Sequence, residues 1–425
     1  MLLSLLQRLQ LFFRKLWVRV AAISLLGVVA VLAAKLIGPF LPESLGHLVG
    51  ANSVDQLLDI LSSSMLAVTT FSLSVMVTVY RSISSQWTPR AHRIQMRDRS
   101  TQTVLATFIG AFVYALSSII LRSARFFDDR DIVVLFAMTL AVIVLVVVMM
   151  MRWLVRLQTM GSLTDTADRI EELTAEAFRQ RMKYPCLGAQ ALGAEIVIPD
   201  TARDVRAPCS GYVERVFPAA IDAHAKACGG QAYLVIAVGD YVSQEGILAH
   251  VTDPALESAV LANVEIGPMR DVEQDPGFGL RILAEIASKA LSPGVNDSGT
   301  AIDMIDRITG VLQSWQAPQH APGEHCEYEH VFIRPLDPSG LIHRPFGLIA
   351  RSGAGDYEVQ TILQERLFSL ETHPDPALAA AARTERKAAL ERGLAAIAHE
   401  IDRKALADCA GSLRERRHVP RAPEG

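Results

Sequence analysis

The chain has 425 residues, 50% of them hydrophobic and 20% charged, with a mean hydropathy of +0.26. That balance excludes a disordered, collagen-like or disulfide-scaffold chain and lies between a soluble enzyme and a pure membrane bundle. Residues 1–159 carry 15 Lys/Arg and 7 Asp/Glu, whereas residues 160–425 carry 26 and 38, so a basic apolar part precedes an acidic polar part that argues against a nucleic-acid surface. In chain order, Met1–Trp17 mixes Leu and Phe with Arg8, Arg14 and Lys15. It suits either an amphipathic helix lying flat at the interface or a cytoplasmic extension of the first span. That span, about residues 17–41, is apolar from Val20 to Ala34, is interrupted by Lys35, and resumes through Leu36, Ile37, Phe40 and Leu41. Lys35 can snorkel to the interface. A cleaved signal peptide is the competing reading, without a convincing A-x-A site to support it.

Three further uncharged runs are long enough to cross a bilayer: residues 60–80, 100–121 and 132–151. Arg8, Arg14, Lys15 and Arg19 precede the first span. Arg81, Arg90, Arg93, Arg97 and Arg99 lie between the second and third, and Arg152 and Arg156 follow the fourth. The intervening loops lack such an excess. The positive-inside rule therefore places both termini and the acidic half in the cytoplasm of a multi-pass membrane protein. The second span is rich in hydroxyls, and Thr70, Ser74 and Thr78 are spaced by four, with Ser63 and Ala67 continuing the same face. Such a stripe lines a hydrated pore or serves as helix-packing glue, and Arg81 would stand at the pore's cytoplasmic mouth. In the third span, Ala106-x-x-x-Gly110 and Ala111-x-x-x-Ala115 are small-residue packing patterns. No ionisable residue lies in the middle of a span, which disfavours a proton-coupled carrier or an intramembrane protease.

Residues 160–194 read as a stalk helix (161–183) and linker, residues 195–372 as a cytoplasmic α+β domain, and residues 373–425 as a C-terminal helix and tail. Within the domain, Glu195–Pro199, Val205–Val216, Ala232–Val238 and Ile247–Val251 are strand-like runs separated by Gly-containing turns. The phrases around Ser210-Gly211-Tyr212-Val213 and Gly239-Asp240-Tyr241-Val242 suggest a small β barrel-sandwich-like unit. No lysine sits where a biotin or lipoyl carrier needs one, because Lys226 falls in a helix. Further on, two helices, about 279–290 and 300–314, flank a Pro/Gly/Asn/Asp corner in which Ser298 can cap the second helix. Asp271, Gln274, Asp275, Asn296 and Asp297 are ligand-binding candidates there, the alternative being that Asn296 and Asp297 only satisfy turn backbone.

SSMLAVTTFSLSVMVTVY with SSQWTPR, TFIGAFVYAL, SGYVERV, and EQDPGFGLRILAEIASKALSPGVNDSGTAIDMIDRI together resemble the bacterial predicted membrane proteins grouped as DUF2254, in order over about residues 10–370. The resemblance implies four spans plus a cytoplasmic α+β domain. It supplies no activity and no catalytic residues.

No Walker loop, HExxH, G-x-S-x-G or kinase signature is present. His320, His325, Cys326 and His330 with neighbouring glutamates lack a standard zinc spacing. The five cysteines, Cys186, Cys209, Cys228, Cys326 and Cys409, are odd in number and contain no CxxC, which suits reduced thiols. The Ala-rich stretch 376–408 reads as a solvated helix and Arg414–Gly425 as a basic tail. The sequence thus predicts an α-helical membrane domain with a cytoplasmic α+β domain, in contact with the lipid bilayer and with no cofactor or nucleic-acid partner. Its activity is either a homo-oligomeric channel gated by that domain or a membrane-anchored sensor or scaffold, with an enzyme a distant third and no ligand identified.

Overall fold

A computed structural model of the chain describes residues 16–40, 51–86, 88–96, 99–159, 162–315 and 326–416. Two compact units divide at Asp165/Thr166. The amphipathic segment before Leu16 and the residues after Arg416 lie outside the described residues.

In the first unit, α1 (Leu16–Ile37), α2 (Ala51–Gln86), α4 (Arg99–Ser123) and α5 (Asp129–Thr159) are long and apolar enough to cross a membrane, and the short α3 (Pro89–Met96) joins α2 to α4. The boundaries differ from the charge-free runs for local reasons. Helix α1 stops at Ile37 because Gly38-Pro39-Phe40 turns into a 3-10 segment, where proline lacks the N–H to continue an α-helix. Helix α2 starts at Ala51, earlier than expected, because Asp55 is tolerated inside it by an ion pair with Arg122 (Nε–Oδ1 2.5 Å). Helix α4 is the centre of the unit and touches α1, α2 and α5. Its small residues are packing positions: a Cβ on Gly110 would stand 2.5 Å from Ile23 Cγ2, and one on Gly27 would stand 3.2 Å from Gly110 O. Ala106, Ala111 and Ala115 are buried beside them. Tyr114 Oη and Thr139 Oγ1, 3.0 Å apart, satisfy each other between α4 and α5, as buried polar groups must.

In the second unit, α6 (Leu163–Lys183) is not a free stalk over most of its length. Thr166, Ala167, Ile170, Thr174, Ala177, Phe178 and Arg181 are buried, and Phe178 meets Trp315 edge-on at 5.5 Å between ring centroids. Eight strands are described, β1 (Ala189–Ala191), β2 (Arg203–Arg206), β3 (Gly211–Val216), β4 (Ala232–Leu234), β5 (Tyr241–Val242), β6 (Ile247–Val251), β7 (Val264–Gly267) and β8 (Tyr328–Ile333). They form a mixed five-stranded sheet, β1-β8-β4-β6-β2, and an antiparallel three-stranded sheet, β5-β3-β7. The β1/β8 and β8/β4 pairs are parallel and the others antiparallel. Among the described residues no closed barrel forms, which corrects the barrel-sandwich expectation: the strands are too short and are divided between two sheets. Residues 195–199 are irregular rather than a strand. Val205, Val213, Leu234, Leu248, Ala249, Val331 and Ile333 share one core with Ile221 and Ala225 of α7 (Pro218–Cys228) and with Val260 of α8 (Leu256–Asn263).

The rest is helical: α9 (Pro276–Ala290), α10 (Ser298–Gln313), α11 (Pro338–Ser352), α12 (Tyr357–Leu370), α13 (Pro376–Ala396) and α14 (Glu400–Arg416). The Ala-rich stretch expected as one solvated helix is two helices, broken at the buried, extended Ile397. Helix α13 buries Leu378, Ala381, Ala382 and Ala389 and holds Arg386 Nε 2.5 Å from Glu371 Oε1 in the interior.

Candidate functional site

The hydroxyl-rich helix α2 has two distinct faces. Val54, Leu58, Leu61, Met65 and Ser72 are buried against the rest of its unit, a spacing of three, four and seven that marks one helix face. Ser63, Thr70, Ser74, Thr78 and Arg81 are all exposed. At about 100° per residue they lie roughly half a turn from the buried face. Among the described residues the stripe therefore lies on the side of α2 away from the face it packs within its own unit.

Each hydroxyl reaches back along the helix: Ser63 to Asp59 O (2.8 Å), Thr70 to Leu66 O (3.0 Å), Ser74 to Thr70 O (2.9 Å) and Thr78 to Ser74 O (2.9 Å). With their protons used in this way, these side chains turn oxygen lone pairs outward. Arg81 follows them on the same face.

The corner residues separate into two groups. Asp271, Gln274 and Asp275 stand together before α9. Asp271 Oδ2 lies 2.7 Å from Arg215 Nη2. The Gln274 amide donates to Val216 O (3.1 Å) and accepts from Val216 N (2.9 Å), bonding the end of β3 as a strand neighbour would. Asp275 is 5% exposed, accepts from Phe278 N (3.2 Å) as the cap of α9, and is held 2.6 Å from Arg270 Nη2. Burial raises its carboxyl above the ordinary range, an effect opposed by Arg270. Gly239, at φ 92°, comes so close to this carboxylate that a Cβ there would stand 2.1 Å from Oδ2. The Arg181 Nε donates to Gln274 O (3.1 Å) from the end of α6, and burial lowers the pKa of its guanidinium.

Asn296 and Asp297 lie beyond the other end of α9, about 22 Å away at 1.5 Å per residue, so the five expected residues do not converge. Asn296 takes a positive φ of 53°, which asparagine tolerates better than most residues. Asp297, not Ser298, caps α10: its carboxylate accepts from Thr300 N (3.0 Å) and Thr300 Oγ1 (2.6 Å), bonds that hold it below the usual carboxylate range. The Ser298 hydroxyl instead donates to Asp356, the cap of α12.

Other contacts had no sequence signal. Arg307 Nη1 sits 2.6 Å from both Asp168 and Glu171, and its Nε is 2.9 Å from Asp303. Burial alone would lower its pKa, but these carboxylates raise it overall. Arg307 thereby fastens α6 to α10. Gly279 is where α6 crosses α9: a Cβ there would stand 1.9 Å from Thr174 Oγ1. The sequence placed this glycine at the start of the helix, and only the structure, in which α9 begins at Pro276, sets it inside the helix against Thr174.

Of the histidine–cysteine stretch, His320 and His325 lie outside the described residues. His330 pairs with Asp222 (Nδ1–Oδ1 3.1 Å), and Cys326 Sγ lies 3.7 Å from Gly188 O. Among the described residues no group of three or more His, Cys, Asp or Glu side chains is placed to hold a metal ion.

Four apolar helices joined to a helical domain with mixed sheets define a multi-span membrane protein. The chain belongs to the family described as predicted membrane protein (DUF2254), whose model matches residues 14–368. Uncharacterized proteins of Mycobacterium tuberculosis (strain CDC 1551 / Oshkosh) and Mycobacterium bovis are 26% identical to it over 372 residues, covering 84% of this chain and 71% of each relative. No solved structure matches the chain.

Proposed function

We propose that the protein is a homo-oligomeric channel in which α2 of each copy faces a common axis and the C-terminal domain acts as gate or sensor. The observation that carries this reading is the outward stripe of Ser63, Thr70, Ser74 and Thr78, opposite the face α2 uses within its own unit. Four helices are too few to enclose a wide aqueous path, so several copies around an axis are required. The oxygen-lined stripe would form the path, and Arg81 at its end would favour anions. Arginine in the tail, in residues 81–99 and after α5 argues that this end, both termini and the C-terminal domain are cytoplasmic, in a bacterial inner membrane.

A specific observation also favours a second reading, a membrane-anchored sensor or scaffold. Because every hydroxyl in the stripe bonds to its own helix, the face needs no water and tolerates lipid or a packed neighbour. Flux through liposomes containing the purified protein separates the two. The channel reading expects flux that Ser74→Leu blocks, that Arg81→Glu shifts away from anions, and that Val144→Leu on the exposed side of α5 leaves unchanged. Absence of flux under every ion gradient or applied tension, or dissociation of the oligomer by Ser74→Leu, supports the scaffold.

A further inference from the structure

The hydroxyl stripe on α2 is bounded by charge at both ends. Because α2 begins at Ala51, Asp59 stands about two turns inside the helix rather than at its start, and it is exposed. Asp59, Thr70 and Arg81 are spaced by eleven residues, which at 3.6 residues per turn is three turns plus about 20°. They therefore lie almost in line, with Ser63 and Ser74 beside them. The face of α2 opposite its buried face thus carries an acid at one end, hydroxyls along its length and an arginine at the other end. Residues 60–80, between the two charges, contain no charged side chain.

Neither charge is matched within the chain. Among the described residues the Asp59 carboxylate and the Arg81 guanidinium make no ion pair and no hydrogen bond. Asp55, one turn before Asp59, is by contrast held by Arg122 at 2.5 Å. The helix dipole does not account for Asp59 either, because its pull on an acid fades within the first turn. The two charges are 22 residues apart, or about 33 Å along the helix. That length is close to the hydrocarbon thickness of a bilayer, about 30 Å, and sets one charge near each membrane boundary.

We propose that Asp59 is a second selectivity element of the path and that, together with Arg81, it makes conduction rectify, so that current passes more readily in one direction than in the other. The inference rests on the axial assembly proposed above. In that assembly the copies of Asp59 and of Arg81 form two rings of opposite sign. At a separation of about 33 Å the rings are several screening lengths apart, a Debye length being about 8 Å at physiological ionic strength, so neither cancels the other. The Asp59 ring collects cations and the Arg81 ring collects anions. A voltage that drives cations from Asp59 towards Arg81 also drives anions from Arg81 towards Asp59, and both fill the uncharged middle of the path. The reverse voltage draws both out and leaves the middle depleted. The permeating class is small ions of either sign, cations admitted at Asp59 and anions at Arg81.

The test is single-channel recording from the full chain in planar bilayers, comparing currents at equal and opposite voltages. In potassium chloride the wild type should give unequal currents, most unequal in dilute salt and nearly equal at about 1 M, where the screening length falls to about 3 Å. Asp59→Asn should make the currents equal and move the reversal potential in a salt gradient towards anions. Arg81→Gln should also make them equal but move that potential towards cations, and Asp59→Glu should keep the rectification. Equal wild-type currents in dilute salt overturn the inference, leave both charges as interfacial anchors of α2, and leave the channel reading standing. Rectification that Asp59→Asn keeps overturns it in the same way. If Asp59→Asn forms no channels, the wild-type salt series decides, and rectification that persists at about 1 M overturns the inference. Complete absence of current removes the channel reading and this inference with it.

Discussion

Replacing Gly279 by alanine tests whether α6 belongs to the body of the C-terminal unit. An ideal Cβ at this position stands 1.9 Å from Thr174 Oγ1 and 2.9 Å from both Thr174 Cβ and Cγ2. Thr174 has little room to yield, because it is buried and its hydroxyl bonds to Ile170 O at 2.6 Å. The helices must therefore separate. Overpacking of this kind costs about 1–3 kcal/mol, and the gain in helix propensity from glycine to alanine returns about 1 kcal/mol. Because a 1.9 Å approach lies at the severe end of that range, we expect a net loss of about 2 kcal/mol, or roughly 4–8 °C in Tm for a unit of this size. Trp315 reports the event, since it packs on Phe178 of α6 and is the only tryptophan after residue 165. Adding Thr174→Ala removes Oγ1 and Cγ2 and leaves only the 2.9 Å approach of its Cβ, so it should recover more than half of the loss, a coupling expected only of residues in contact. A Gly279→Ala protein as stable as wild type, or a double variant in which the two losses simply add, would refute the crossing.

Asp297→Ala should cost about 1 kcal/mol through loss of the α10 cap and should leave cation binding, measured by calorimetry, unchanged. Because the folded-state pKa of Asp297 is lowered by its bonds to Thr300, its contribution is present above the unfolded value of about 3.9 and lost as pH falls through the lower folded value; the variant should lose this part of the acid sensitivity. Burial pushes the Cys186 thiol up to about 11, so at pH 8 its thiolate fraction is on the order of a thousandth. Iodoacetamide should label the exposed Cys209 and Cys228 on the order of a hundredfold faster than Cys186, as read by peptide mass spectrometry, and equal rates would contradict the packing of Cys186.

The sequence was most informative where the solvent decides the structure. Uncharged runs between arginines and aspartates located three helices, and an apolar stretch read through Lys35 located a fourth, because a charge inside a bilayer is costly; the boundaries moved where an ion pair such as Asp55–Arg122 cancels that cost. The stripe on α2 was legible because helical spacing follows from residue number alone, but its outward direction was not, since that depends on which face α4 covers. In the C-terminal unit, short strands such as Ala189–Ala191 and Val264–Gly267 owe their conformation to distant partners, Tyr328–Ile333 and Gly211–Val216, so no local period announced them. Asp271, Gln274 and Asp275 adjoin one another in sequence and stand together before α9. Their partners Arg215 and Arg181 come from β3 and α6, which only the folded chain brings to that point. Asn296 and Asp297 were expected to converge with Asp275 across a corner, yet they are held apart by the length of α9.

Cross-linking of a single cysteine introduced on α2 tests the central claim most directly. In the proposed assembly the stripes of neighbouring copies would face one axis, so in a cysteine-free background Ser74→Cys in native membranes should yield covalent dimers on mild oxidation. Leu140→Cys, exposed on α5, should remain monomeric under the same conditions. Monomers at both positions, or dimers at Leu140→Cys alone, would contradict an assembly built around α2.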